Sequence, residues 1–213
     1  MIKFHKIDQN TDRWLELRVG KITGSNLSCI MANYGRAFGA PAKKYASTIA
    51  LGQITGKVIA STYSNEHMER GHAEEGIARC IYEDRYFSKV AEGGFFSDGD
   101  LGCSPDGLVG SDGMIEIKSA IPSIHYDRIR KQSFDSAYKW QLAGNLKFSG
   151  RDWMDFVSYC ADYPEGKQLY VYRCTKESFA EEFKQIDERL IAFRQLVEDS
   201  KDVILNNSYS LGR

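Results

Sequence analysis

A chain of 213 residues with 42% hydrophobic content can bury a substantial core in one domain over residues 1–213, and no linker, repeat or low-complexity run divides it. No apolar stretch approaches the roughly 18 residues a membrane span needs, and Met1 to Asp8 holds no apolar core of signal-peptide length, so a cytoplasmic location is expected. A formal net charge of -1 excludes coating nucleic acid through a global positive field; any DNA contact must come from a local basic groove, with Arg18, Lys21, Arg36, Lys43, Lys44, Arg128, Arg130 and Lys131 as its candidate lining.

In chain order, Thr11-Asp12 predicts a helix start that sets Trp14, Leu17 and Arg18 on one face, with Trp14 read as core. Arg18 ends that run just before Gly20, where an arginine can receive a phosphate. Thr23-Gly24-Ser25-Asn26 then precedes the apolar run Leu27 to Met31. It supplies hydroxyls and free backbone N–H groups at a helix N-terminus, a setting for an anion in which Ser25 could equally serve as a plain N-cap. Residues 33–40 predict a loop carrying Arg36, residues 43–56 a helix, and residues 65–86 a longer helix carrying Glu74 and Glu75. Short strands are predicted over 93–96, 101–103 and 114–119. A helix over 136–149, strands over 153–160 and 168–173, and a closing helix over about 178–200 complete the series.

Within Met114 to Ser119, apolar and charged residues alternate with period two, so Glu116 and Lys118 share one strand face and Ile115 and Ile117 the other. Upstream, Gly110-Ser111-Asp112-Gly113 is a run of turn formers, which lets Leu108-Val109 pair with Met114-Ile115. A loop centred near Ser111 sets Asp106 opposite Glu116, whereas a tight Asp112-Gly113 turn slips the register and moves Asp106 along the strand. Two carboxylates this close repel, and a hard divalent cation, magnesium above all, relieves that repulsion in a wet site. A lysine beside them can hold an attacking water or offset charge growing on a phosphoryl oxygen. The five cysteines have no C-x-x-C pair, and the four histidines lack H-E-x-x-H spacing, so neither set predicts a metal site.

Pro105-Asp106-Gly107 followed by Glu116-Ile117-Lys118 resembles the PD-(D/E)xK nuclease superfamily. Within it, Cys103-Ser104-Pro105-Asp106-Gly107-Leu108 resembles the lambda-exonuclease family of phage recombination nucleases. So do Trp14 to Arg18, Lys21 to Ser25, Gly71 with Glu75, and Ala137 to Gln141, in that order along the chain. The resemblance implies an α/β domain with a mixed central sheet flanked by helices, the arrangement the order of elements also suggests. It implies that Asp106, Glu116 and the Ile117 carbonyl hold Mg2+, with Mn2+ able to substitute. Lys118 then activates or positions water and Glu75 supports the site. It also implies that Arg18, Ser25, Ser104 and Gln141, near Thr23, hold a terminal phosphate, and that Met68 wedges between strands at a duplex fork. The expected activity is 5′-to-3′ digestion of one strand of linear, 5′-phosphorylated duplex DNA to mononucleotides. The 3′ strand is left for a single-strand annealing protein, and a trimeric ring is implied by the family alone. A PD-(D/E)xK endonuclease and a catalytically idle DNA-binding subunit are the alternatives.

Overall fold

The computed structural model describes residues 1–59 and 66–206, with the side chains of residues 66–72 outside the description. Sixteen elements follow in chain order: β1 (Lys3–His5), α1 (Asp12–Arg18), β2 (Ile22–Thr23), α2 (Leu27–Met31), α3 (Ala40–Thr55), α4 (Glu66–Tyr86), β3 (Val90–Glu92), β4 (Phe95–Asp98), β5 (Leu101–Cys103), β6 (Gly107–Val109), β7 (Gly113–Ser119), α5 (Pro122–Lys131), α6 (Lys139–Ser149), β8 (Trp153–Tyr159), β9 (Leu169–Thr175) and α7 (Ala180–Leu205).

The expected mixed α/β architecture is present, with the strands divided between two sheets. The larger runs β3-β6-β7-β8-β9, parallel only between β7 and β8; the smaller runs β1-β4-β5-β2, parallel only between β5 and β2. The strands expected near residues 93–96 and 101–103 belong to the smaller sheet. Their partners β1 and β2 are three and two residues long, too short to show a period. Helix α5 is also absent from the expectations, because Ile121, Ile124, Tyr126 and Ile129 remain exposed and leave no clean buried stripe to read. Pro122 in its first turn needs no N–H partner there.

Period-two alternation in β7 sorts its side chains between two cores. Met114 joins Met154, Phe156, Leu142 and Phe193 on the side of α2, α3, α6 and α7, while Ile115 and Ile117 join Ala78 and Tyr82 of α4 with Val157. Each fully buried side chain of this size stabilises the fold by about 1.5–3 kcal/mol. The central strand is therefore gripped from both faces.

The β6–β7 hairpin pairs Gly107 with Ile115, Leu108 with Met114 and Val109 with Gly113. Its loop of residues 110–112 is centred on Ser111, and Gly110 takes φ +57° there. This is the longer-loop register of the two open in the sequence, and it carries Asp106 opposite Glu116. Gly113 is required for a different reason: a β-carbon there would lie 2.0 Å from the Trp153 ring.

Candidate active site

Asp106 leaves the hairpin where β6 begins, and its backbone N–H donates to the Ile115 carbonyl at 3.1 Å. The Ile117 N–H donates to Asp106 Oδ2 at 2.6 Å. A strand residue points its N–H and C=O to the same side, so the Ile117 carbonyl also faces the edge beside Asp106. Glu116 is 1% exposed and accepts three hydrogen bonds. Its Oε1 accepts from Lys118 Nζ and Gln141 Nε2, both at 2.5 Å, and its Oε2 from Asn145 Nδ2 at 3.0 Å. Burial, then the Asp106 charge, pushes the Glu116 carboxyl up to about 7 against the pull of Lys118. Burial acts to lower the Lys118 pKa, but Glu116 and Asp106 outweigh it and keep the ammonium charged.

Helix α4 brings Glu75 to the same centre. Burial first and Asp106 second raise its carboxyl to about 7, with Arg79 and Lys118 opposing. The neighbouring Glu74 turns instead to the Ser119 hydroxyl at the end of β7, so Glu75 is the member of the pair that faces Asp106 and Lys118. Asp106 thus acts on both Glu75 and Glu116, and the pull of Arg79, 3.8 Å from Glu75, and of Lys118 does not bring either carboxyl back to its ordinary value.

Four of the residues expected at a terminal phosphate form two pairs. Thr11 caps α1 by accepting from the Trp14 N–H, and Trp14 stands outside the core as a shelf: its ring lies 4.0 Å beneath the Arg18 guanidinium. Ser104 Oγ accepts from Trp14 Nε1 at 2.9 Å and from Arg18 Nη1 at 3.3 Å. The second pair is Thr23 and Ser25, whose hydroxyls are 3.3 Å apart, with Asn26 Nδ2 donating to Thr23 Oγ1. Ser25 is exposed and caps neither the short 3-10 turn Gly24–Asn26 nor α2. The two pairs are neighbours because β2 lies parallel to β5, with Thr23 opposite Gly102.

One expectation changes, at Arg128, and two further candidates are placed by their contacts. Gln141, expected at the terminal phosphate, donates from Nε2 to Glu116, drawn by the buried charge. Arg128 is 5% exposed and donates to Ser158 Oγ beneath the sheet, so it cannot line a DNA groove. Arg36 is exposed on the loop after α2, and its carbonyl accepts from Arg189. The Met68 side chain, the proposed wedge, and Gly71 with its neighbours lie outside the described side chains.

Residues 13–152 match the family described as the YqaJ-like viral recombinase domain. The chain belongs to that family. Among solved structures, the YqaJ-like chain is similar to the alkaline exonuclease LHK-Exo from Laribacter hongkongensis, at 28% identity over 92% of this chain and 99% of that one, with a TM-score of 0.74. LHK-Exo in complex with dAMP aligns over the same shares at the same identity, with a TM-score of 0.76. A phage-related exonuclease from Haemophilus somnus 129PT, 14% identical over 88% of this chain and 96% of that one, shares the fold at a TM-score of 0.67. No curated protein matches the sequence. The YqaJ-like chain therefore has the fold of the alkaline exonuclease type.

Two site residues escaped the sequence reading. Asn145 follows Gln141 by one helical turn on α6 and reaches the same carboxylate, a relation the i,i+4 spacing could have disclosed. Arg79 follows Glu75 by one turn on α4; it donates to the Asp106 carbonyl at 2.7 Å and to Glu92 at 2.6 Å. Among the described residues no group of three or more His, Cys, Asp or Glu side chains is placed to hold a metal ion. The donors present still suit magnesium, which keeps several waters and takes only one or two carboxylates from a protein. Glu116 and Glu75, raised by burial and by Asp106, carry the excess negative charge such an ion would neutralise.

Proposed function

We propose that this YqaJ-like protein is a magnesium-dependent exonuclease that degrades one strand of linear duplex DNA from its 5′ end. One observation carries the reading: carboxylates gathered about the buried Glu116, with a charged lysine, stand beside a half-buried arginine that has no carboxylate partner among the described residues. The first suits a cation and the second an anion, which together suit phosphodiester hydrolysis at a strand end. Asp106, Glu116 and the Ile117 carbonyl would hold Mg2+, with Mn2+ an acceptable substitute because it takes the same octahedral oxygen shell. When bound, that ion supplies charge neutralisation and a more acidic water.

The protein's own groups do the rest. Lys118 stays charged at the site and is placed to orient a water or to offset charge developing on a phosphate oxygen. Glu75 adds a third carboxylate beside it. Arg18, stacked on Trp14 and held to Ser104, keeps its planar fork oriented to receive a terminal phosphate, with the Thr23 and Ser25 hydroxyls as neutral donors nearby. A terminal phosphate carries more charge than an internal diester, so this pocket prefers a strand end and measures off mononucleotides. LHK-Exo has been solved with one mononucleotide, dAMP, which agrees with such a product.

A 3′ single strand for an annealing protein and assembly as a trimeric ring are parts of the proposal that rest on the lambda-exonuclease resemblance. No helix among the described residues is long and apolar enough to cross a membrane. The deciding experiment offers end-labelled linear duplexes with 5′-phosphate or 5′-hydroxyl ends, and a covalently closed circle, in Mg2+, Mn2+, Ca2+ or chelator. The expected result is 5′ label released as mononucleotide, faster from phosphorylated ends and only with Mg2+ or Mn2+. Cutting of a covalently closed circle, or loss of 3′ label first, would overturn the reading.

A further inference from the structure

Glu116 has three hydrogen-bonding partners of unequal freedom. Lys118 and Gln141 are long, partly exposed side chains that share Oε1, so either can swing away when that oxygen takes another partner. Asn145 is different. It is 1% exposed, short, and alone among the three on Oε2. Its amide must direct Nδ2 at the carboxylate, because Oδ1 there would set acceptor against acceptor. That orientation presses Oδ1 toward the Thr23-Gly24-Ser25 turn: a β-carbon on Gly24 would lie 2.3 Å from Asn145 Oδ1. The preceding residue brings the two segments equally close, since a β-carbon on Gly144 would lie 3.3 Å from Gly24 Cα and 2.2 Å from Leu27. The Asn145 amide is therefore wedged between a turn that carries two hydroxyls and the most buried carboxylate of the site.

We propose that Asn145 is a positioning residue that ties the Thr23–Ser25 turn to Glu116, holding Oε2 so that Oε1 is the oxygen presented to a cation. An asparagine suits this place because it donates a hydrogen bond without adding charge, and its short stem leaves no room for another rotamer. The inference rests on the cation-site reading of Glu116. It adds that the place of the turn, 121 positions away from Asn145 in the chain, is felt at that carboxylate.

The test is a double-mutant cycle on Mn2+ affinity, measured by calorimetry on the DNA-free protein for the wild type, Asn145→Ala, Gly24→Ala and the double variant. Asn145→Ala should weaken Mn2+ binding about ten- to hundredfold, the usual effect of losing an outer partner of a metal ligand. Gly24→Ala should weaken it severalfold alone and add nothing once Asn145 is alanine. Asn145→Ser, which keeps a small donor, should fall between and serves the cycle if the alanine variant does not fold by melting curve. A Gly24→Ala effect that is absent, or equal in both backgrounds, overturns the coupling while leaving the cation site standing. Wild-type protein that takes up neither Mn2+ nor Mg2+ overturns the cation site itself, and the coupling with it.

Discussion

Two charged centres, one buried at Glu116 and one half-buried at Arg18, lie within one fold, and they differ in what they lack. Around Glu116 of β7 stand Asp106, just before β6, and Glu75 of α4, and Lys118 does not offset them; burial first and the Asp106 charge second raise Glu116 and Glu75 to about 7. Around Arg18 the deficit has the opposite sign. Burial lowers its pKa, and the groups that offset this are Tyr45 and Cys103 rather than a carboxylate. A third charged centre shows what a complete arrangement looks like. Asp155 is also 1% exposed, yet it accepts two hydrogen bonds from Arg173 at 2.8 and 2.9 Å and one from the Tyr82 hydroxyl at 2.7 Å. Asp155 holds β8, β9 and α4 together and asks for nothing more. In the proposed function the incomplete pair takes the ligands, one a cation and the other an anion.

The largest effect should come from breaking the acidic centre. Asp106→Asn, Glu116→Gln and Lys118→Met should each lower turnover at least about a hundredfold in a nucleotide-release assay with Mg2+, while gel-shift binding of duplex DNA survives. Near wild-type turnover in any of the three would remove that residue from the site. Arg173→Ala probes the complete arrangement and should act on stability instead: leaving Asp155 with only Tyr82 should cost about 3 kcal/mol in urea denaturation, with turnover per folded molecule nearly unchanged. A large loss of turnover without loss of stability would mean that Asp155 is part of the chemistry.

Arg18→Ala tests the cationic centre. It should reduce the preference for 5′-phosphorylated over 5′-hydroxyl duplex about tenfold and leave the Mg2+ requirement intact, and Arg18→Lys should restore only part of the preference because an ammonium cannot bind bidentately. A preference unchanged in Arg18→Ala would place phosphate recognition elsewhere.

The smallest effect concerns pH. Glu75 and Glu116 have folded pKa values of about 7, raised from 4.5, so the folded protein binds more protons than the unfolded chain between those values. Their contribution to metal-free stability is therefore present below about pH 4.5 and lost as pH rises through 7. A bound cation needs both groups ionised, so Mg2+ should raise the melting temperature by a few degrees more at pH 8 than at pH 6. An equal shift at the two pH values would detach these carboxylates from the cation.

Much of the acidic site was legible in the residues because it is local. Glu116 and Lys118 are two apart on a strand whose alternation is written in sequence, and the hairpin needs only its turn formers to bring Asp106 across. Glu75 was reachable through family spacing, but only the contact of Glu74 with Ser119 shows which acid turns to the site. The Trp14 shelf, the contact of Gln141 with Glu116, the burial of Arg128 and the wedge at Asn145 are not local. Each depends on which helix face meets which strand: Gln141 and Asn145 act on Glu116 because α6 packs on one face of β7, while Glu75 arrives because α4 packs on the other. Sequence alone determined the strand, the hairpin and the types of charge they carry, since period and turn chemistry act over a few residues. Tertiary structure decided which charges are left uncompensated, because compensation is set by burial and by partners that are distant in the chain.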